Sequence, residues 1–113
     1  GLDAFFDESL SNDILEKGIG LAACPTFYSE GGSCPQKTME CIRGLFEMGA
    51  LISLSTDDPV QLGSGWLTTT LMAAQSSGAF SNDEMKKFMV NAVKSSWMEP
   101  GSAMSFIEEL NAY

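Results

Sequence analysis

The chain has no histidine, and only six of its 113 residues are Lys or Arg, against fifteen Asp or Glu. Any metal ligands it offers are therefore carboxylates and thiols rather than imidazoles. The formal net charge is −9, and the positive residues (Lys17, Lys37, Arg43, Lys86, Lys87 and Lys94) are scattered along the sequence. Nucleic-acid binding draws its affinity from clustered Lys and Arg, so no nucleic-acid partner is expected. Three cysteines, Cys24, Cys34 and Cys41, are odd in number and lack C-x-x-C spacing. They indicate neither a disulfide framework nor a structural zinc site, and a reducing, cytoplasmic setting is the default. No run of about 18 apolar residues is present, so no membrane span is expected. The sequence opens at Gly1 without a Met or a signal-peptide pattern.

What is present is enough for one domain with a core, since 44% of the residues are hydrophobic. A helix is expected over residues 8–17, where Leu10, Ile14 and Leu15 share a face, Asp13 precedes Lys17 by four, and Gly18 follows. "IGLAAC" (19–24) reads as a short buried strand stopped by Pro25, and the Gly- and Pro-containing stretch after it as a loop. Met39, Ile42, Leu45 and Phe46 recur at helical spacing over 36–48, with Gly49 where a C-terminal glycine belongs. "ALISLS" (50–55) is the second strand, and residues 66–76 a further helix. Over 82–95, Ser81 and Glu84 form a capping-box signature, and Met85, Phe88, Met89, Ala92 and Val93 make an apolar stripe. A last helix follows Pro100, with Met104, Ile107 and Leu110 on one face.

Two apolar strands joined through a helix make a βαβ unit, so the strands should be parallel and the fold class α/β. Two strands are too few for an independent parallel sheet, whose edges and faces would stay open. A second chain, or the remainder of a larger barrel or sheet, is expected to cover them.

The segment "LISLSTDDPV" (51–60) places two carboxylates, Asp57 and Asp58, where the second strand ends. One reading is a helix start, with Asp58 as the N-cap, Pro59 as first helical residue and both charges by the positive end of the helix dipole. The other is catalytic, because polar residues at the C-terminal ends of barrel strands point into the active site. There, one carboxylate binds a metal while the other holds the substrate.

"SLSTDDPVQ" resembles the S-x-[NS]-[ST]-D-D-P segment of the adenosine/AMP deaminases, a branch of the metal-dependent amidohydrolases. "NAVKSSWMEP" (91–100) is similar to a segment near the C-terminus of adenosine deaminases, and "GIGLAACP" resembles the preceding barrel strand. The resemblance implies the C-terminal part of a TIM (β/α)8 barrel, with residues 1–113 holding its last two strands and closing helices. It implies zinc-dependent hydrolytic deamination of a purine, with Asp57 as the catalytic zinc ligand and Asp58 as the substrate-binding acceptor for purine N7. By the same pattern Gly1 follows an active-site histidine, and the remaining zinc ligands lie in the missing N-terminal part of the barrel. One carboxylate does not hold a catalytic zinc alone, so the isolated chain is expected to be inactive.

Phe27 and Tyr28 stand where many members carry Ser-Asn, and Leu62 replaces a frequent Phe. Both loops lie at the pocket mouth in the family, so the substrate stays open among adenosine, favoured by the longer C-terminal match, adenine and AMP. Cys24 reads as a small buried residue at a strand end, and Met39, Met85, Met89 and Met104 as core packing. By its family counterpart, Trp97 is expected to anchor a late helix to the barrel, and Trp66 is a pocket candidate. Gly31-Gly32 and Gly63-x-Gly65 read as loop hinges. The competing class is a non-catalytic interaction module, a barrel remnant that binds a partner through its strand edges.

Overall fold

The computed structural model describes residues 1–26, 34–58, 60 and 66–113. A 3-10 turn (Leu2–Phe6) opens the chain, followed by α1 (Glu8–Glu16), β1 (Leu21–Ala23), α2 (Gln36–Glu47), β2 (Ile52–Leu54), α3 (Leu67–Gly78), α4 (Asn82–Lys94) and α5 (Pro100–Ala112). The strands pair in parallel, with Leu21 opposite Ile52 and Ala23 opposite Leu54, as a βαβ connection requires. A two-stranded parallel sheet dressed with helices is compatible with part of an α/β barrel.

Both strands are shorter than the apolar runs that mark them, and the helix ends explain why. Asp7 caps α1, its carboxylate accepting from the Leu10 N–H at 3.0 Å. After α1, Gly18 takes φ +60°, and the N–H groups of Gly18 and Ile19 return to the Leu15 and Ile14 carbonyls. After α2, Gly49 takes φ +89°, and Gly49 and Ala50 return to Phe46 and Leu45 in the same way. These are Schellman closures, which need a left-handed residue that glycine supplies without strain. They draw Ile19 and Ala50 into the helix ends, so the ladder begins only where Leu21 donates to the Leu51 carbonyl. Its last bond runs from the Ser55 N–H to the Ala23 carbonyl at 2.8 Å.

The core lies between the strands and α2, α3 and α4. Ile42, Leu45, Ile52, Ala74 and Phe88 are almost fully buried there. Phe46, Phe80 and Phe88 form an aromatic cluster, with centroids 4.6 Å apart for Phe46–Phe88 and 4.9 Å for the edge-on Phe80–Phe88 pair. Burying side chains of this size stabilises by about 1.5–3 kcal/mol each. Arg43 of α2 locks the α3–α4 corner. It donates to the Gly78 and Ala79 carbonyls, pairs with Glu84 at 2.7 Å and lies 4.0 Å from the Phe80 ring centroid. Glu84 also closes the capping box expected from the sequence: it accepts from the Ser81 N–H while Ser81 Oγ accepts from the Glu84 N–H.

Several apolar residues assigned to the core are not in it. Met39 and Met85 are buried, but Met89 and Met104 are exposed. The stripe of α4 is covered at Met85 and Phe88 only, and α5 has no buried residue, since it packs chiefly on α4. Trp97 is fully exposed and packs on none of the described elements. Met89 borders open clefts that α3, α4 and α5 line together, and among the described residues no element lies over the outer face of α5. Among the described residues no helix is long and apolar enough to cross a membrane.

Candidate functional site

The C-terminal ends of the two strands come together in one cleft of about 560 Å3. Pro25, almost fully buried, ends β1, and Thr26 Oγ1 lies 3.3 Å from the Thr70 hydroxyl of α3. These contacts hold Cys24 at the cleft wall, half-buried rather than buried as the sequence suggested. Burial raises the Cys24 thiol pKa, and the neighbouring Asp57 charge raises it further against weaker hydrogen bonds from Ser55 and the Asp57 backbone. A thiol shifted in that direction is a poor nucleophile at neutral pH, in keeping with a packing role.

After β2 the chain turns sharply at Asp57, whose φ is +66°. A left-handed conformation disfavours residues with a Cβ, although Asp tolerates it better than most. Strained backbone of this kind clusters at functional sites. The turn also separates the two carboxylates. Asp57 lines the cleft, whereas the Asp58 carboxylate accepts from the Val60 N–H at 3.0 Å. That bond has the spacing of an N-cap to its N2 residue, so the helix-start reading holds for Asp58's local contact. Pro59, Phe27, Tyr28, Leu62 and the paired glycines of both loops lie outside the described residues.

The rest of the cleft comes from segments that carry no motif. Leu2, Asp3 and Phe6 of the opening turn, and Lys37, Thr38 and Cys41 of α2, also line it. Burial raises the Cys41 thiol too, with Lys37 opposing. Nothing local in the sequence marks these residues, because only the packing of the turn on α2 brings them to the strand ends. Trp66, the pocket candidate, is exposed at the N-terminus of α3.

The second motif lies elsewhere. Asn91 Nδ2 of α4 donates to the Ile52 carbonyl at 3.0 Å, on the edge of β2 that faces away from β1. One helical turn on, Ser95 sits so close to Gly20 that a Cβ there would come within 2.4 Å of the Ser95 side chain. "NAVKSS" therefore fastens α4 to the strands at their N-terminal end and contributes nothing to the Asp57 cleft.

The family model for adenosine deaminase matches residues 1–113. The chain belongs to the adenosine deaminase family. It is 28% identical over 107 residues to an adenine deaminase of Acinetobacter baylyi, covering 93% of this chain and 31% of that protein. It is 29% identical over 110 residues to the adenosine deaminase of Mus musculus, covering 97% and 31%. An uncharacterized deaminase of Schizosaccharomyces pombe is 23% identical over 113 residues, covering 100% and 33%. The chain thus spans about a third of the length of the curated relatives it matches. No solved structure matches it.

Whether the cleft suits a metal follows from its donors. Asp57 is an exposed carboxylate on the cleft wall, a hard anionic ligand with room beside it. Among the described residues, however, no three His, Cys, Asp or Glu side chains group closely enough to hold a metal ion. The chemistry of Asp57 fits a zinc ligand, but only as one member of a larger ligand set, since a catalytic zinc takes about three protein ligands.

Proposed function

We propose that this chain is the C-terminal portion of a zinc-dependent, purine-deaminating hydrolase, contributing two adjacent strands of a TIM barrel to its active site. Adenosine is the first substrate to test, followed by adenine and AMP. In this reading Asp57 is the anionic zinc ligand and Asp58 the acceptor for purine N7. The N-terminal remainder of the barrel supplies the other ligands and covers the outer strand edges. The zinc, when bound, supplies the charge that acidifies a water for attack on the purine ring. The observation that carries the reading is the left-handed turn at Asp57, which presents this carboxylate to a cleft at the C-terminal ends of two parallel strands. Barrel active sites are built at that end.

The test compares Asp57→Asn and Asp58→Asn in the full-length protein, reading zinc content and turnover together. Asp57→Asn weakens zinc retention and turnover. Asp58→Asn keeps the zinc and lowers kcat/KM by roughly ten- to a hundredfold, since a hydrogen bond to a charged group contributes about 1.5–3 kcal/mol. If both variants keep full activity, the pair serves only as a helix start. The Asp58–Val60 contact favours that second reading for Asp58 alone. The isolated 113-residue chain is expected to retain no stoichiometric zinc and to deaminate nothing.

A further inference from the structure

Phe6 is a large apolar side chain left 62% exposed, yet its position is closely determined. The opening turn is fastened from both sides. Ser11 Oγ donates to the Ala4 carbonyl in a buried contact, and the Phe5 ring lies directly over Gly44 of α2. A Cβ at Gly44 would come within 2.0 Å of the Phe5 ring, so the turn sits this close only because the position is glycine. With Phe5 turned inward onto α2, Phe6 is directed into the Asp57 cleft. Its ring meets Phe5 edge-on, with centroids 5.3 Å apart and planes at 72°. The Lys37 ammonium stands 5.2 Å from its centroid. A ring held by an aromatic edge and a cation is pre-oriented rather than freely rotating, which lowers the entropic cost of using it.

The cleft that Phe6 walls has the volume of a small-molecule site. Beside the polar groups of Asp3, Asp57, Lys37 and Thr38, its apolar surface comes from Leu2, Phe6 and the strand-end residues. A flat heteroaromatic ligand gains most from such a ring by stacking.

We propose that Phe6 is a specificity-determining residue of this site, the wall on which the purine base stacks, with Lys37 as the positioning residue that holds the ring. The proposal rests on the deaminase reading above and adds to it a recognition element outside the three sequence motifs. The test uses the full-length protein with adenosine and adenine as probes, and the variants Phe6→Leu, Phe6→Tyr and Phe106→Leu. Phe106 is a half-exposed phenylalanine of α5 away from the cleft and serves as the control. Phe6→Leu should raise KM about five- to fiftyfold, with kcat within about twofold and zinc content unchanged. Phe6→Tyr should restore KM, and Phe106→Leu should leave it alone. Equilibrium binding of adenine to chelator-treated protein should weaken in Phe6→Leu by a similar factor, a readout independent of turnover. An unchanged KM in Phe6→Leu overturns the proposal. So does a joint loss of kcat and zinc that Phe6→Tyr does not rescue, since that marks a structural role. Purine turnover with no effect at Phe6 sinks this proposal alone. Adenine binding that depends on Phe6 without any turnover sinks the deaminase reading instead. Neither binding nor turnover overturns both.

Discussion

At the N-terminal end of the two strands, Gly20 lies against Ser95, Asn91 holds the Ile52 carbonyl, and two Schellman closures bring the chain in from α1 and α2. At the C-terminal end, Asp57 stands exposed in a left-handed turn, Cys24 is half-buried, and an open cleft separates the strand ends from Phe6 and Lys37. One end fastens the chain through backbone and Asn91 hydrogen bonds, with a cleft of about 530 Å3 beside it at Gly49, Ala50 and Asn91; the other sets an exposed carboxylate and a left-handed backbone beside its cleft. Barrel proteins divide their ends in this way, with stability at the N-terminal face and chemistry at the C-terminal one. The division teaches why two motifs that identify the same family behave so differently. "NAVKSS" is a fastening, whereas Asp57 of the second-strand motif lines the cleft together with Ala22, Ala23 and Cys24 of the first.

The largest effect expected from testing this contrast lies in the core beside the fastened end. Phe88 is 1% exposed and touches both Phe46 and Phe80. Phe88→Ala should cost about 3–5 kcal/mol, read as a fall in the denaturant midpoint. Gly20→Ala should follow at about 1–3 kcal/mol, because the new methyl group meets Ser95 and one of the two elements must shift. At the strained end the sign reverses. Asp57→Gly relieves the left-handed backbone and should leave stability unchanged or raise it by up to about 1 kcal/mol, while the full-length protein loses turnover. A clear loss of stability in Asp57→Gly would remove the contrast between the ends.

The smallest effect is a pH dependence at the helix starts. The Ser81 N–H, helped by Arg43, holds the Glu84 carboxyl below its ordinary pKa. The N–H groups of Gly101 and Ser102 do the same for Glu99. Each group titrates lower folded than unfolded. Its contribution is therefore full above the unfolded carboxyl pKa of about 4.3 and vanishes as pH falls through the lower folded value. Melting temperature should drop across that acidic window, and Glu84→Gln with Glu99→Gln should flatten the drop. An unchanged profile in the double variant would place the acid sensitivity elsewhere.

Local signals were readable wherever the physics was local. The capping box at Ser81 and Glu84, the glycines that close α1 and α2, and the Asp13–Lys17 pair, 3.3 Å apart, all sit where sequence spacing puts them. Strand existence and parallel pairing followed from two apolar runs flanking a helix. Strand length did not, because the Schellman closures reach past the helix ends into Ile19 and Ala50. Met89 and Met104 were misplaced for another reason. Helical periodicity shows that a face is apolar, but not whether anything covers it.

The sequence by itself determined the family, the closures of α1 and α2, the capping box of α4 and the pair of carboxylates after β2, because each is written in residues a few positions apart. Only the tertiary structure decided that Asp57 opens on a cleft while Asp58 turns to the Val60 N–H, since that depends on the sign of one φ angle. It also decided that Phe6 and Lys37 share the cleft with Asp57. Their meeting depends on a phenylalanine ring packing against a glycine some forty residues away, and no local pattern encodes such a contact.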